Sequence, residues 1–161
     1  MKQRLRAARG WKLVGWLALA GLAGFVLIQA VPYGRQHSDP TPTKEARWSN
    51  PQARAAFNAG CADCHSDHTN WRWYSNVAPA SWLIQKDVNE GRGILNLSEW
   101  DKPQPELGDI VEQISSGGMP PLQYKIAHSE AKLSAAQKRE LIAGFRAMYA
   151  TDPPVATKAG G

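Results

Sequence analysis

The chain has 161 residues and a formal net charge of +5, with 19 Lys and Arg against 14 Asp and Glu. Five of those basic residues (Lys2, Arg4, Arg6, Arg9 and Lys12) precede Leu13, so the remainder is neutral. That placement removes the electrostatic case for nucleic-acid binding.

After the basic segment 1–12 comes an apolar run, Leu13 to Val31, of 19 residues with no charge and one amide, Gln29. A run of that length crosses a bilayer core as a helix and exceeds the usual apolar core of a cleaved signal peptide. Trp11, Trp16 and Tyr33 lie near its ends, where amphipathic rings favour the interface. Ala18-Leu19-Ala20 offers small residues at cleavage spacing, but a cut there leaves an apolar tail, so the expectation is an uncleaved signal anchor. The excess of positive charge before the run puts the N-terminus in the cytoplasm and the rest on the far side of the membrane. Residues 32–48, with Pro40 and Pro42, read as a semi-extended tether. The folded domain is expected over 49–151 and a disordered Pro-, Ala- and Gly-rich tail over 152–161. A domain of roughly 100 residues buries only about 60–65% of its surface, so a bulky apolar prosthetic group would extend its core.

Within that domain, Asn50 and Pro51 are suited to the cap and first position of a helix reaching Cys64, which puts Phe57, Cys61 and Cys64 on one face. A second helix is expected over Pro79–Glu90, stopped by Gly91 and Gly93. A third starts at Pro105, with Leu107, Ile110, Val111 and Ile114 at amphipathic spacing and Gly117-Gly118 at its end. The last is capped by Ser134 and Gln137 and carries Leu141, Ile142, Phe145, Met148 and Tyr149 inward. No alternating strand pattern occurs, so the fold class is all-α.

The only two cysteines stand in Cys61-Ala62-Asp63-Cys64-His65. Cys-x-x-Cys-His is the attachment motif for c-type haem. One helical turn places two thiols on the same side, facing two vinyl groups on one porphyrin edge, and the following imidazole reaches the iron. A zinc site built from Cys61, Cys64, His65 and His68 would crowd four ligands into eight residues, whereas structural zinc draws ligand pairs from separated segments. A thioredoxin-like redox pair needs a βαβ context that is not seen. A structural disulfide across so short a loop would constrain the unfolded chain little.

A second axial ligand is sought among three methionines. Met1 is the start and Met148 lies on an apolar helix face; Met119 stands in Gly117-Gly118-Met119-Pro120-Pro121. Glycines permit close backbone approach and prolines stiffen the chain, so this loop presents a thioether at low entropic cost. A helix C-cap followed by a turn explains the glycines and prolines but not the methionine. His128 is the rival ligand, with a propionate contact or a surface histidine as its other readings. Phe57, Trp71, Trp73, Tyr74, Trp82, Trp100 and Tyr124 are candidate core and haem-pocket residues, the Trp and Tyr polar groups being able to bond propionates. Arg72 and Arg92 are candidate propionate partners, with a solvated arginine as the alternative.

The order helix, Cys-x-x-Cys-His, helices, Met loop, amphipathic helix resembles a class I cytochrome c. More narrowly, several stretches resemble the small haem-binding domain family: Asp63-Cys64-His65-Ser66, Trp71, Trp73-Tyr74-Ser75, Ala78-Pro79, Ser81-Trp82, Gly91-Arg92, Ser98-Glu99-Trp100, Gly118-Met119-Pro120-Pro121, Tyr124 and His128. The resemblance spans about Ala55 to Tyr149 and departs at Arg72, where proline is expected. It implies one covalent haem c and supplies no substrate.

The expectation is therefore an electron-carrying monohaem c-type cytochrome, anchored in a bacterial inner membrane and facing the periplasm. Cys61 and Cys64 would hold the haem, with His65 and Met119 as proximal and distal ligands. Its redox partners would be proteins such as a quinol-oxidising complex, an oxidase or a peroxidase. A haem peroxidase, a haem-based gas or redox sensor, and a zinc-binding module are the rival readings.

Overall fold

The computed structural model describes residues 2–155, and side chains from Gly10 onward. The side chains of Lys2, Arg4, Arg6 and Arg9 and the tail 156–161 lie outside the described residues. Among the described residues there are seven α-helices: α1 (Lys2–Ile28), α2 (Pro51–Gly60), α3 (Ala62–His65), α4 (Ala80–Ile94), α5 (Leu107–Ser116), α6 (Leu122–Ala127) and α7 (Ala135–Thr151). Short 3-10 turns span Trp73–Asn76 and Ser129–Ala131. Among the described residues only isolated bridges, Lys44 with Glu99 and Pro103 with Val155, represent β structure. The protein is all-helical.

The chain divides into two units, one made of the segment up to His37 with Trp71–Gln85, the other of Ser38–Asn70 with the chain from Lys86. In the first, the stretch Gly10–Ile28 of α1 is 19 residues long with a mean hydropathy of 1.8 and is wholly unburied. It is the one helix among the described residues long and apolar enough to cross a membrane. Past its end the Gln29 amide is fixed twice to one peptide unit: its Nε2 donates to the Ala78 carbonyl (3.0 Å) and its Oε1 accepts from the Ala78 N–H (3.0 Å). Arg35 Nη2 donates to the Gln29 carbonyl at 2.7 Å. Gly34, at φ +81°, lies so close to Ser81 that a Cβ would overlap its carbonyl. The ring of His37 stacks on Trp71 at 4.4 Å and its Nε2 donates to the Ser75 carbonyl (3.1 Å), which ties this part of the expected tether down.

The second unit is built around α2 and α7. Gly144 of α7 allows the two helices to approach until a Cβ there would overlap Ala53. Trp48 packs between Phe57 (5.5 Å) and Phe145 (5.3 Å), and Leu97, Trp100, Ile110, Ile114, Leu141 and Met148 complete the core. The capping box at Ser134 and Gln137 forms as expected.

The tether is not free. Thr43 N–H and Ala46 N–H donate to the Ser98 and Leu97 carbonyls (3.1 and 2.8 Å), and Trp100 N–H donates to Lys44 (2.8 Å). Together with the docking of Gln29 to His37 in the first unit, these bonds satisfy backbone groups that a solvated linker would leave to water. The tail does not begin at Asp152 either, since its carbonyl accepts from the buried Trp100 indole (2.6 Å) and its carboxylate pairs with Lys44 (2.8 Å). Finally, Gly91 and Gly93 do not stop α4, which continues to Ile94. Gly91 serves close packing against Cys64 instead.

Candidate haem site

The expected single helix from Asn50 to Cys64 breaks at Cys61, whose φ of −130° leaves the helical region while its N–H still bonds the Phe57 carbonyl at 2.8 Å. The chain turns there, and α3 carries Cys64 and His65. Cys64 N–H and His65 N–H both donate to the Cys61 carbonyl, at 3.1 and 2.9 Å. Phe57, Cys61, Cys64, His65 and Met119 all line one cavity of about 290 Å³. That is close to the lower end of the roughly 300–1,000 Å³ range of ligand pockets. Ile110, Ile114, Leu95, Pro120 and Phe145 supply apolar wall. Ile94 also lines it and is 63% exposed, so one side of the wall faces solvent.

His65 is oriented from behind. Its Nδ1 lies 3.0 Å from the carbonyls of both Gly91 and Leu95. Carbonyls only accept, so Nδ1 carries the proton and Nε2 keeps its lone pair, the tautomer an axial imidazole needs. Burial lowers the His65 pKa, against the opposing pull of those two carbonyls, and favours the neutral ring. The contact depends on Gly91, because a Cβ there would overlap the Cys64 carbonyl and meet the Cys64 Cβ at 2.9 Å. A glycine in the middle of an otherwise polar-and-apolar helix was the one sequence signal for this crossing. The His65 carbonyl in turn accepts from Leu97 N–H (2.9 Å), fixing the turn to the chain after α4.

The two thiols are not joined in a disulfide. Each is pushed up to about 12: Cys61 by burial and then by Cys64, Cys64 by burial and then by the charges of Asp87 and Asp63. A thiol held so high is protonated at neutral pH, the opposite of the activated thiolate of a redox pair. Among the described residues no group of three or more His, Cys, Asp or Glu side chains is placed to hold a metal ion. His68, a member of the alternative zinc set, pairs with Glu45 at 2.8 Å.

Met119 arrives from the far side of the sequence. Gly117, at φ +80°, ends α5 in the left-handed conformation, and Met119 N–H returns to the Gln113 carbonyl at 3.1 Å. Gly60 lets the loop approach α2, since a Cβ there would meet Pro120 Cγ at 2.9 Å. His128 does not line the cavity; it is buried, bonds the Tyr124 carbonyl through Nδ1 (3.1 Å) and packs on the Tyr124 ring at 4.0 Å.

The remaining candidates separate. Phe57 and Tyr124 line the cavity. The Tyr124 hydroxyl donates to Asp63 Oδ2 at 2.7 Å, a contact between α6 and the cysteine turn that sequence gave no reason to expect. Trp100 is fully buried against Tyr149 and holds Asp152, so it is a core residue away from the cavity lining. Arg92 does not line the cavity. It donates to the Ser66 and Ser38 carbonyls (2.9 and 2.6 Å), the Thr69 hydroxyl (2.9 Å) and Asp39 (2.9 Å), and it lies 3.6 Å from buried Asp67. It clamps the loop after His65 to the entering chain, a role quite different from a propionate contact. Trp71, Arg72, Trp73, Tyr74 and Trp82 belong to the first unit. The charged residues that line the cavity are acidic, Asp87, Glu90 and Asp109. Burial raises the Asp87 pKa, partly offset by its hydrogen bond with Gln123.

A cavity on which two neighbouring thiols, an imidazole with a free Nε2 and a thioether converge within apolar walls fits a haem. A family model described as a haem-binding domain matches residues 23–147. The match begins inside α1, earlier than the resemblance from about Ala55, and so takes in the docked segment Gln29–His37. No curated protein and no solved structure matches the chain. With that match spanning most of the chain, and with a cavity suited to the group, this haem protein belongs to the haem-binding domain family.

Proposed function

We propose that the protein is a membrane-anchored monohaem c-type cytochrome that carries electrons on the periplasmic face of a bacterial inner membrane. The observation that carries this reading is the convergence of Cys61, Cys64, His65 and Met119 on one cavity. Cys61 and Cys64 would each form a thioether to the haem edge, His65 Nε2 would be the proximal ligand and Met119 the distal one. The haem supplies a one-electron couple, and methionine–histidine ligation raises its potential relative to other axial sets. The chain's own residues do the rest: the Gly91 and Leu95 carbonyls orient His65, and the Gly117–Pro121 loop presents sulfur. Met119 is favoured over His128 because the latter is turned to Tyr124. Arg92 is committed elsewhere, and the amides of Gln113 and Gln123 are among the polar groups that line the cavity.

If His65 and Met119 both bind the iron, no open site would remain on it, which favours a carrier over a peroxidase or gas sensor. Redox partners would approach the haem through the side of the cavity where Ile94 is exposed. Membranes lacking the protein should reduce a downstream oxidase or peroxidase more slowly, and the anchored chain should restore the rate. Stoichiometric carbon monoxide binding by the ferrous protein, or peroxide turnover at enzyme-like rates, would replace the carrier with a sensor or an enzyme.

A further inference from the structure

In the first unit, exposed apolar side chains are not confined to α1 and the residues that directly follow it: Trp73 is 77% exposed, Tyr33 48% and Leu83 47%. A tryptophan that open on the surface is unusual for a soluble domain, where large rings dominate the core. These segments are bound to the end of α1. Gln29, the first residue past Ile28, grips both polar groups of Ala78. Ser81 Oγ donates to the Tyr33 carbonyl (3.4 Å), Gly34 lies against Ser81, and His37 holds Trp71 and Ser75. Trp73 precedes Ala78 by five residues, a distance of at most about 17 Å if fully extended. Residues Trp73–Asn76 form a 3-10 turn, which shortens that reach.

Taking α1 as a membrane anchor, as proposed above, we infer that the turn Trp73–Asn76, with Tyr33 and Leu83, is a second membrane contact that lies in the headgroup layer of the bilayer crossed by α1. The occupant of this apolar surface is lipid because the surface is continuous with the anchor. Gln29 marks the edge of the hydrocarbon, and the hydrogen bonds fix Ala78 at that level. The headgroup region extends about 5–7 Å beyond the hydrocarbon on each side. Amphipathic rings gain most in that layer, their bodies among acyl chains and their polar edges in water. Trp73 and Tyr33 both have that character. The contact would hold the first unit against the membrane as well as tether it.

The test uses the full haem-loaded chain in liposomes with two photoreactive phospholipids, one carrying its reactive group at the glycerol–headgroup level and one at the end of an acyl chain. Adducts are located by mass spectrometry. The headgroup probe should label the segment from Trp73 to Leu83 well above the background of samples that were not irradiated, and the acyl probe should label α1. Trp73→Ala should reduce headgroup labelling of 73–83 and leave acyl labelling of α1 unchanged. Normal labelling of α1 with only background on 73–83 would overturn the inference and leave the anchor intact. Loss of acyl labelling on α1 would remove the anchor and this contact together. In native membranes, a photoreactive amino acid in place of Trp73 should capture lipid; capture of a protein instead would overturn the assignment.

Discussion

The hydroxyl of Tyr124 donates a 2.7 Å hydrogen bond to Asp63, the residue directly before Cys64. It links the helix that follows the Met119 loop to the turn that carries both cysteines. Tyr124→Phe removes the donor and leaves the ring. A hydrogen bond to a charged acceptor contributes about 1.5–3 kcal/mol, and Asp63 keeps Asn70 N–H as a second partner (3.0 Å), so a loss near 1.5 kcal/mol is expected. Denaturant unfolding of the haem-loaded protein measures it. The sulfur–iron charge-transfer band should weaken in Tyr124→Phe before unfolding begins, because the distal loop loses its tie to the proximal turn. A band and a stability both unchanged would show that the bond holds nothing.

Gly91→Ala tests the crossing of α4 over the cysteine turn. The added methyl would overlap the Cys64 carbonyl, so α4 must move away and take the Gly91 and Leu95 carbonyls from His65. Overpacking of this kind costs about 1–3 kcal/mol. The haem-loaded yield should fall, and the surviving protein should show an altered imidazole–iron signature in resonance Raman. Gly93→Ala, where a Cβ meets nothing within 4 Å, should be tolerated.

Arg92→Ala removes the counter-ion beside Asp67, which is 2% exposed and has one carboxylate oxygen with no hydrogen-bond partner among the described residues. Breaking a buried pair in this way costs about 3–5 kcal/mol, and the loop 66–69 should become protease-sensitive. Lys at the same position should recover only part of the loss, because it cannot donate in the fork geometry that reaches Ser66, Ser38 and Thr69 together. A large change in reduction potential with little change in stability would instead make Arg92 a propionate partner.

Alkaline pH reaches Tyr149, whose phenol is pushed up to about 12 by burial and then by Glu106. Its hydroxyl donates to the Pro105 carbonyl at 2.6 Å. A folded-state pKa above the unfolded value near 10 favours the protonated form in the native protein. This contribution is fully present below about pH 10 and is lost as pH rises toward 12. Thermal unfolding of the haem-loaded chain should therefore become easier between those values. Tyr149→Phe should start less stable, lacking the bond to Pro105, but show a shallower alkaline decline.

Local chemistry was legible in the sequence where it depends on near neighbours. Ser134 and Gln137 cap α7 through a three-residue spacing, and Cys61, Cys64 and His65 share one turn because the motif is contiguous. The Met119 loop was legible because glycine and proline act on their own backbone. What escaped depends on distant partners. Gly91 reads as a helix stop until α3 lies against it, and Arg92 reads as a propionate partner or a solvated arginine until Ser38, Asp39 and Thr69 surround it. The segment 32–48 reads as a tether from its prolines and polarity. Its backbone pairing with Leu97–Trp100 follows from a register between residues some 50 apart, which local composition does not encode.

Met119→Ala and His128→Ala together decide the distal ligand. The first should abolish the sulfur–iron band and lower the potential, since the thioether that lines the cavity is gone. The second should leave both largely in place, because His128 bonds the Tyr124 carbonyl and packs on its ring. The opposite pattern would make His128 the ligand.

The central claim is that one haem is covalently held by Cys61 and Cys64, and the intact mass of the denatured chain tests it most directly. After acid–organic extraction, the mass should exceed that of the polypeptide by one haem. Cys61→Ser with Cys64→Ser should abolish the increment. A chain that returns to its bare polypeptide mass, with the haem in the organic phase or with one zinc in its place, would contradict the account.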